Sequence, residues 1–407
     1  MPKDLLILGG GPSGLSTALH LAKFYPHLTD RILILEKEHY PRPKLCAGGL
    51  AADAEIILQR LGLDTGEVPH VDAQSAHFDF AGQGLELRVP HTHTIRVVRR
   101  DEFDNWLAEK AESRGIEIRE GVVVKNVQPR DDGVIVETNQ ETFTAQIVVG
   151  ADGSNGITRR CILPNAPVHT ARVLEVLAPA IDVIARSGIT ATKQSPINKQ
   201  IASGESAPRN DIRREVAYFD FFPVPAGIAG YVWDFPTQVK GQPMRCWGIY
   251  DTNILTDQQR PALKDPLAEE MARHGFDLNA VELKGHPIRW FSPMNRMSAP
   301  RVLLVGDAVG ADPIFGEGIS MALGYGALAA REIGESIRRS DFSFYGYRSR
   351  VVRSALGQTL TVRWLIAEIL YRLRWEWFQK FFWRTLKPII AAAAWIFVLN
   401  WGKRLKT

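Results

Sequence analysis

The sequence predicts an α/β protein with an α+β second domain. A Rossmann-like nucleotide-binding domain would carry an inserted antiparallel β-sheet domain and a C-terminal helical tail. Three observations predict it. Residues 5–14 read Leu5-Leu6-Ile7-Leu8-Gly9-Gly10-Gly11-Pro12-Ser13-Gly14, an apolar run entering a glycine loop. Far downstream, Arg301-Val302-Leu303-Leu304-Val305-Gly306-Asp307-Ala308 is followed by Pro313 and Gly316-Glu317-Gly318-Ile319, a second strand, glycine loop and helix start. Between them, residues 75–97 alternate and residues 165–294 break at Gly and Pro, as strands joined by loops do.

The first element is a short buried strand of the parallel-sheet kind. Gly9, Gly11 and Gly14 fit the G-x-G-x-x-G spacing: a tight turn, close backbone approach to a pyrophosphate, and tight packing of helix on strand. Leu15, Ala18, Leu19 and Ala22 give the following helix its apolar face, and its N-terminal N–H groups face the phosphates. The next strand, Arg31 to Glu36, ends in an acid placed to accept from both ribose hydroxyls. These features do not separate NAD from FAD. The distant segment does. Asp307 is placed to accept from a ribityl hydroxyl, and the helix opening at Gly316 and Gly318 aims N–H groups at the pyrimidine end of an isoalloxazine, stabilising a reduced flavin. The two segments form one FAD site, and the protein is expected to be a redox protein.

Further elements follow in order. Arg100 to Arg114 reads as a helix, and Ile116–Glu120 and Val122–Val127 as strands. Val134–Val136 with Ala145–Gly150 reads as a hairpin returning to the cofactor at Asp152, and Ile319 to Arg338 as the closing helix. His91 and His93 share one face of an expected strand, but no further ligands accompany them, so no metal site is predicted. The 407 residues suffice for two domains and an appendage. Cys46, Cys161 and Cys246 lie far apart, which excludes a disulfide framework and suits a reducing, cytoplasmic compartment; no signal peptide is expected.

Charge is uneven. From Arg363 onward nine Lys and Arg face two Glu, a net of +7, which leaves the rest near −3 within the overall +4. Six of the ten tryptophans lie there too. The apolar run Ile389–Leu399 is too short to span a bilayer. Basic residues mixed with Trp and Phe suit a helix in the membrane interface, so peripheral membrane contact through the tail is expected, with packing on the protein's own surface as the alternative. No nucleic-acid partner is expected.

Three more stretches resemble the geranylgeranyl reductase family, within the para-hydroxybenzoate hydroxylase-like FAD fold. Tyr40-Pro41-Arg42-Pro43-Lys44-Leu45-Cys46-Ala47-Gly48-Gly49 is similar to its P-x-x-K-x-C-x-G-G segment, Arg100-Asp101-Glu102-Phe103-Asp104 with Leu107 to its R-x-x-F-D-x-x-L helix start, and Tyr231-Val232-Trp233-Asp234-Phe235-Pro236 to its Y-x-W-x-F-P motif. Gly150-Ala151-Asp152-Gly153 is the wider group's second acidic turn. The resemblance covers residues 1–340. Departures are Ala47, where glycine is more usual, the polar stretch Ser195–Arg214, read as a loop, and the aromatic tail.

Residue reading and resemblance together name a cofactor-binding set of Gly9, Gly11, Pro12, Ser13, Gly14, Glu36, Lys37, Lys44, Cys46, Ala47, Arg100, Val124, Asp152, Gly153, Gly306, Asp307, Pro313, Gly316, Gly318 and Ile319. Cys46 is the candidate catalytic residue, or else a buried apolar cysteine. Lys44 reads as a phosphate partner or a surface lysine, and Arg100 as a cofactor contact or a partner of Asp104. Tyr231, Trp233, Phe235 and Pro236 form the expected prenyl pocket, with Trp247 and Tyr250 as extensions. The implied division is an FAD-binding domain of 1–70, 98–164 and 295–342, a substrate-binding domain of 71–97 and 165–294, and a tail of 343–407. The implied activity is reduction of isoprenoid carbon–carbon double bonds, hydride passing from reduced FAD. With one dinucleotide fingerprint, the external electron donor is NADPH, ferredoxin or a quinol. A single-component flavin monooxygenase, a redox-neutral carotenoid cyclase and an electron-transfer flavoprotein stay open as alternatives.

Overall fold

The computed structural model describes residues 3–180, 215–255, 260–393, 395 and 399–406. The stretch 195–214 and part of the apolar run 389–399 lie outside them. In chain order the first half contains β1 (Leu5–Leu8), α1 (Pro12–Phe24), β2 (Ile32–Leu35), β3 (Gly49–Ala51), α2 (Ala52–Arg60), β4 (His70–Ala73), β5 (Ser75–Phe80), β6 (Gln83–Arg88), β7 (Ile95–Val98), α3 (Arg100–Glu112), β8 (Glu117–Arg119), β9 (Val124–Pro129), β10 (Val134–Thr138), β11 (Thr142–Ala145), β12 (Ile147–Gly150) and α4 (Ile157–Ile162). Then come β13 (Thr170–Pro179), β14 (Val216–Asp220), β15 (Gly230–Val239), β16 (Gln242–Asp251), α5 (Lys264–Arg273), β17 (Lys284–Arg289), β18 (Ser298–Ala299), β19 (Val302–Leu304), α6 (Ile319–Arg339), α7 (Tyr347–Arg353), α8 (Ala355–Leu370), α9 (Glu376–Lys380), α10 (Lys387–Ala393) and α11 (Trp401–Arg404).

A six-stranded sheet in the order β18-β19-β12-β1-β2-β8 holds the nucleotide loops. Its strands run parallel apart from the short β18. All four residues of β1 and of β2 are buried, as expected of strands covered on both faces. Helices α1 and α6 pack closely because Gly326 carries no side chain: a Cβ there would lie 2.5 Å from Ser16 Oγ. The hairpin expected from 134–136 and 145–150 divides differently. Val134 pairs with Ala145 in a small antiparallel sheet, while Ile147–Gly150 enters the parallel sheet beside β1.

A seven-stranded sheet in the order β17-β13-β16-β15-β14-β5-β6 forms the second wall. It is antiparallel save for one pair: β5, from early in the chain, runs parallel to β14. Helix α5 escaped the sequence reading; Leu267 and Met271, one turn apart, bury its apolar edge in a cluster with Trp247 and Phe276. His91 lies in the turn between β6 and β7 with φ 65°, so the two histidines share no strand, and His93 instead binds Glu55 at 2.7 Å. No group of residues able to hold a metal occurs among the described residues.

The tail is helical, with a π-helical turn at Phe381–Thr385. Its far part joins the core: Trp401 is buried against Gly324, Gly402 N–H donates to Asp53 Oδ1 at 2.7 Å, and Arg60 Nη1 donates to Leu405 O at 2.6 Å. Among the described residues no helix is long and apolar enough to cross a membrane.

Candidate active site

One cavity of about 1110 Å³ runs from the glycine loop across the second sheet to the tail. That exceeds the roughly 300–1,000 Å³ usual for a single ligand. At one end Gly9 turns with φ 112°, and a Cβ on it would lie 2.4 Å from Ala151 O. A Cβ on Gly14 would lie 2.1 Å from Gly9 O, so only glycine lets the helix sit on the strand. A Cβ on Gly11 would meet only Arg42 Nη2, at an ordinary contact distance of 3.7 Å. Gly11 caps α1 without a side-chain bond, which leaves the first N–H groups of the helix for a phosphate.

Glu36 lines the cavity and is already partly engaged: Gly10 N–H donates to Oε2 at 2.8 Å and Glu38 N–H to Oε1 at 3.0 Å. Arg100 pairs with Asp104, as one of its two readings proposed. It grips Asp104 through two bonds of 2.8 Å and lines the cavity. Arg42 was missed. It lies 3.5 Å from Glu36 and 3.2 Å from Asp104, and its guanidinium donates to Gly10 O. Two arginines on one buried carboxylate are a relation across sixty residues of chain, which no local pattern announces.

The distant loop arrives beside the first because β12 pairs with both β1 and β19. Contact is direct: a Cβ on Gly306, which has φ 59°, would lie 2.6 Å from Ser13 Oγ. Asp307 lines the cavity next to Gly318, the uncapped start of α6. Burial raises its carboxyl pKa, while Lys44 and Arg100 pull it back. The residues present fit an FAD. Gly11 and Gly153 leave open cradles, two helix N-termini meet the cavity, and Asp152 Oδ1 is buried without a hydrogen-bond partner. Lys37, Ala47, Val124, Pro12, Gly316 and Ile319 also line the cavity. Gly14, Gly306 and Pro313 sit behind it and shape its backbone.

Lys44 is half-buried and lines the cavity. Its Nζ lies 3.1 Å from His286 Nε2, and burial lowers the pKa of both, His286 to about 4. Cys46 lines the same wall, its Sγ accepting from Gly48 N–H at 3.4 Å. Beside it lies a carboxylate that the sequence reading passed over. Glu175, on β13, is only 5% exposed and accepts from Cys46 N–H at 3.3 Å.

Tyr231, Trp233 and Phe235 alternate along β15 and all face the cavity. Pro236 and Trp247 do not line it; Trp247 stacks on His274 on the far side of the sheet. Tyr250 does line it, its hydroxyl donating to Pro313 O at 3.2 Å. The wall is completed by Phe78, Phe219 and Phe315, with Phe78 and Phe219 stacked at 4.7 Å and Phe219 against Tyr231 at 5.3 Å. They come from separate elements, so no single motif marks them. The tail supplies the outer end through Ile369, Phe378, Phe382, Ile389 and Trp395.

A family model described as FAD binding domain matches residues 3–227, more than half of the chain. The chain belongs to the FAD binding domain family. It is an FAD-dependent oxidoreductase of that family, and FAD is its cofactor. Digeranylgeranylglycerophospholipid reductase 3 of Methanosphaera stadtmanae is 26% identical over 84% of this chain and 79% of its own length. A menaquinone reductase of Mycolicibacterium smegmatis is 24% identical over 80% of this chain and 75% of its own. Among solved structures, a geranylgeranyl bacteriochlorophyll reductase-like protein from Thermoplasma acidophilum superposes with a TM-score of 0.72 at 21% identity, covering 98% of this chain and 97% of that one.

Proposed function

We propose that the protein reduces carbon–carbon double bonds of an isoprenoid lipid of the geranylgeranyl type. The observation that carries the reading is the aromatic wall of Tyr231, Trp233, Phe235 and Phe219, continuous with the nucleotide end in one cavity. An unactivated alkene offers little charge to grip, so the protein must act by positioning it and excluding water. Apolar rings in a deep cavity serve both needs. Bound FAD, once reduced by NADPH, ferredoxin or a quinol, supplies hydride to the alkene. Gly9 to Gly14, Glu36, Arg100, Asp152 and Asp307 hold the cofactor, and Cys46 faces the reacting end. The relatives' names, digeranylgeranylglycerophospholipid reductase and menaquinone reductase, support the substrate class. On this reading residues 1–70, 98–164 and 295–342 bind FAD, and 71–97 with 165–294 bind substrate.

The tail lies against a bilayer, with the remainder of the protein in the cytoplasm. Seven of the large apolar side chains exposed among the described residues fall between Leu365 and Trp395, with Trp375 at 59% and Trp377 at 66%. Ile369, Ile389 and Trp395 are exposed and also line the cavity, so its outer rim is the surface offered to lipid.

The test is anaerobic. The flavin is reduced, oxygen is excluded, and geranylgeranyl lipids are added. Flavin reoxidation with product heavier by two hydrogens per bond is expected. Product formed only in oxygen and heavier by one oxygen atom, or an isomer of unchanged mass, would overturn the reading.

A further inference from the structure

Glu175 lies on the cavity face of β13, where Val173 precedes it by two residues. Its register partners are Gly248 on β16 and Lys284 on β17. Gly248 leaves room for a neighbouring ring: a Cβ there would lie 2.0 Å from Trp233 Cζ2. Trp233, Cys46 and Glu175 thus converge on one section of the wall. The other cavity acids serve elsewhere. Glu36 takes backbone N–H groups at the nucleotide loop, Glu38 pairs with Lys37, Asp152 holds Thr158, Asp307 sits beside Gly318 at the start of α6, Glu317 pairs with Arg363, and Asp53 accepts from Gly402 N–H. Glu175 is the one acid lining the cavity, among the described residues, that is carried by the seven-stranded sheet.

We infer that Glu175 is the acid that completes alkene reduction, positioned by the N–H of Cys46 and by the cage of Trp233. The role rests on the reductase reading above. In the balanced step, hydride from reduced FAD forms a C–H bond at one alkene carbon while the π pair takes the Glu175 proton at the other. Glu175 would be left as carboxylate, to be reprotonated by water, and the two electrons would come from the reduced cofactor when bound.

The surroundings suit the task. Burial lifts the Glu175 pKa to about 7, against opposing pulls from the Cys46 N–H, Arg99, Arg100 and the Cys246 thiol. The Lys284 side chain opposite is more than half exposed and pairs with Glu282. His286 and Lys44, on the adjoining wall, hold each other, and His286 is neutral at pH 7, which makes it the poorer donor. A carboxyl that keeps its proton almost to neutrality is matched to general-acid work.

The test uses full-length, FAD-loaded protein, reduced without oxygen and mixed with geranylgeranyl diphosphate. For wild type, reoxidation is expected to hold constant below about pH 7 and fall about tenfold per unit above it, as loss of one proton requires. Glu175→Gln should react at least about 100-fold more slowly at pH 6, with FAD content and reoxidation by oxygen unchanged. Glu175→Asp should recover part of the rate together with the pH limb. Independently of turnover, infrared titration should show protonated-carboxyl absorption fading near pH 7 that is weaker in Glu175→Gln than in wild type by the share of one carboxyl, the Asp79 share remaining. If Glu175→Gln keeps the wild-type rate or its pH limb, the assignment is wrong while the reductase reading stands. If wild type reacts with no prenyl compound, the reductase reading falls and this role with it.

Discussion

Arg363 on α8 donates to Asp312 at 2.7 Å and to Glu317 at 2.6 Å. Arg363 and Asp312 are both almost completely buried. One guanidinium of the tail therefore fixes the loop that carries Gly316 and Gly318 to the cavity. Arg363→Met would leave Asp312 charged and unpaired away from water. Removing one partner of such a pair costs about 3–5 kcal/mol. The midpoint of urea unfolding should drop accordingly, and FAD affinity should weaken with it; an unchanged midpoint would show that water already reaches the pair.

Gly14→Val should give a protein without yellow colour. The new Cβ would meet Gly9 O, a backbone atom that cannot move without opening the phosphate turn. Flavin absorbance per mole of protein after reconstitution is the measurement, and stoichiometric binding would contradict the geometry.

Asp79 makes stability depend on pH. Burial, reinforced by nearby Asp220, raises its folded pKa to about 7 from an ordinary 3.8. Between about pH 4 and 7 the folded state binds a proton that the unfolded chain has released, so this group's contribution falls as pH rises through that window. Asp79→Asn should flatten that part of the Tm–pH profile and raise Tm at pH 8. A profile of unchanged slope would remove Asp79 from the account.

Trp375→Ala with Trp377→Ala should reduce recovery on anionic vesicles severalfold, since each indole forfeits apolar area in the interface. Both side chains are largely exposed and neither lines the cavity, so flavin binding should stay intact. Co-sedimentation equal to wild type would place the bilayer elsewhere.

Much of this was legible in the chain, because some constraints are local. Glycine spacing, the strand–loop–helix order and the alternation of Tyr231, Trp233 and Phe235 are set within ten residues, and the structure brings these segments to one cavity. What stayed hidden is non-local. Arg42 matters through Glu36 and Asp104, and Glu175 through Cys46. Phe78 and Phe219 meet only because β5 crosses to run parallel with β14. His91 and His93 misled because a left-handed turn residue breaks the alternation they suggested. Composition left the tail open between membrane contact and packing on the protein's own surface, and its last part, with Trp401 wedged beside Gly324, belongs to the core.

The sheet order β19-β12-β1 has a consequence for biogenesis. The opening strand waits for one neighbour until residues near 147 are made, and the nest is finished only when residues near 302 arrive. Closing loops of that size is slow, and the coenzyme has no complete berth until late in synthesis. FAD capture should thus be a finishing step that locks an assembled protein rather than a seed around which it folds, and flavin-starved cells should accumulate a loosened, protease-sensitive form.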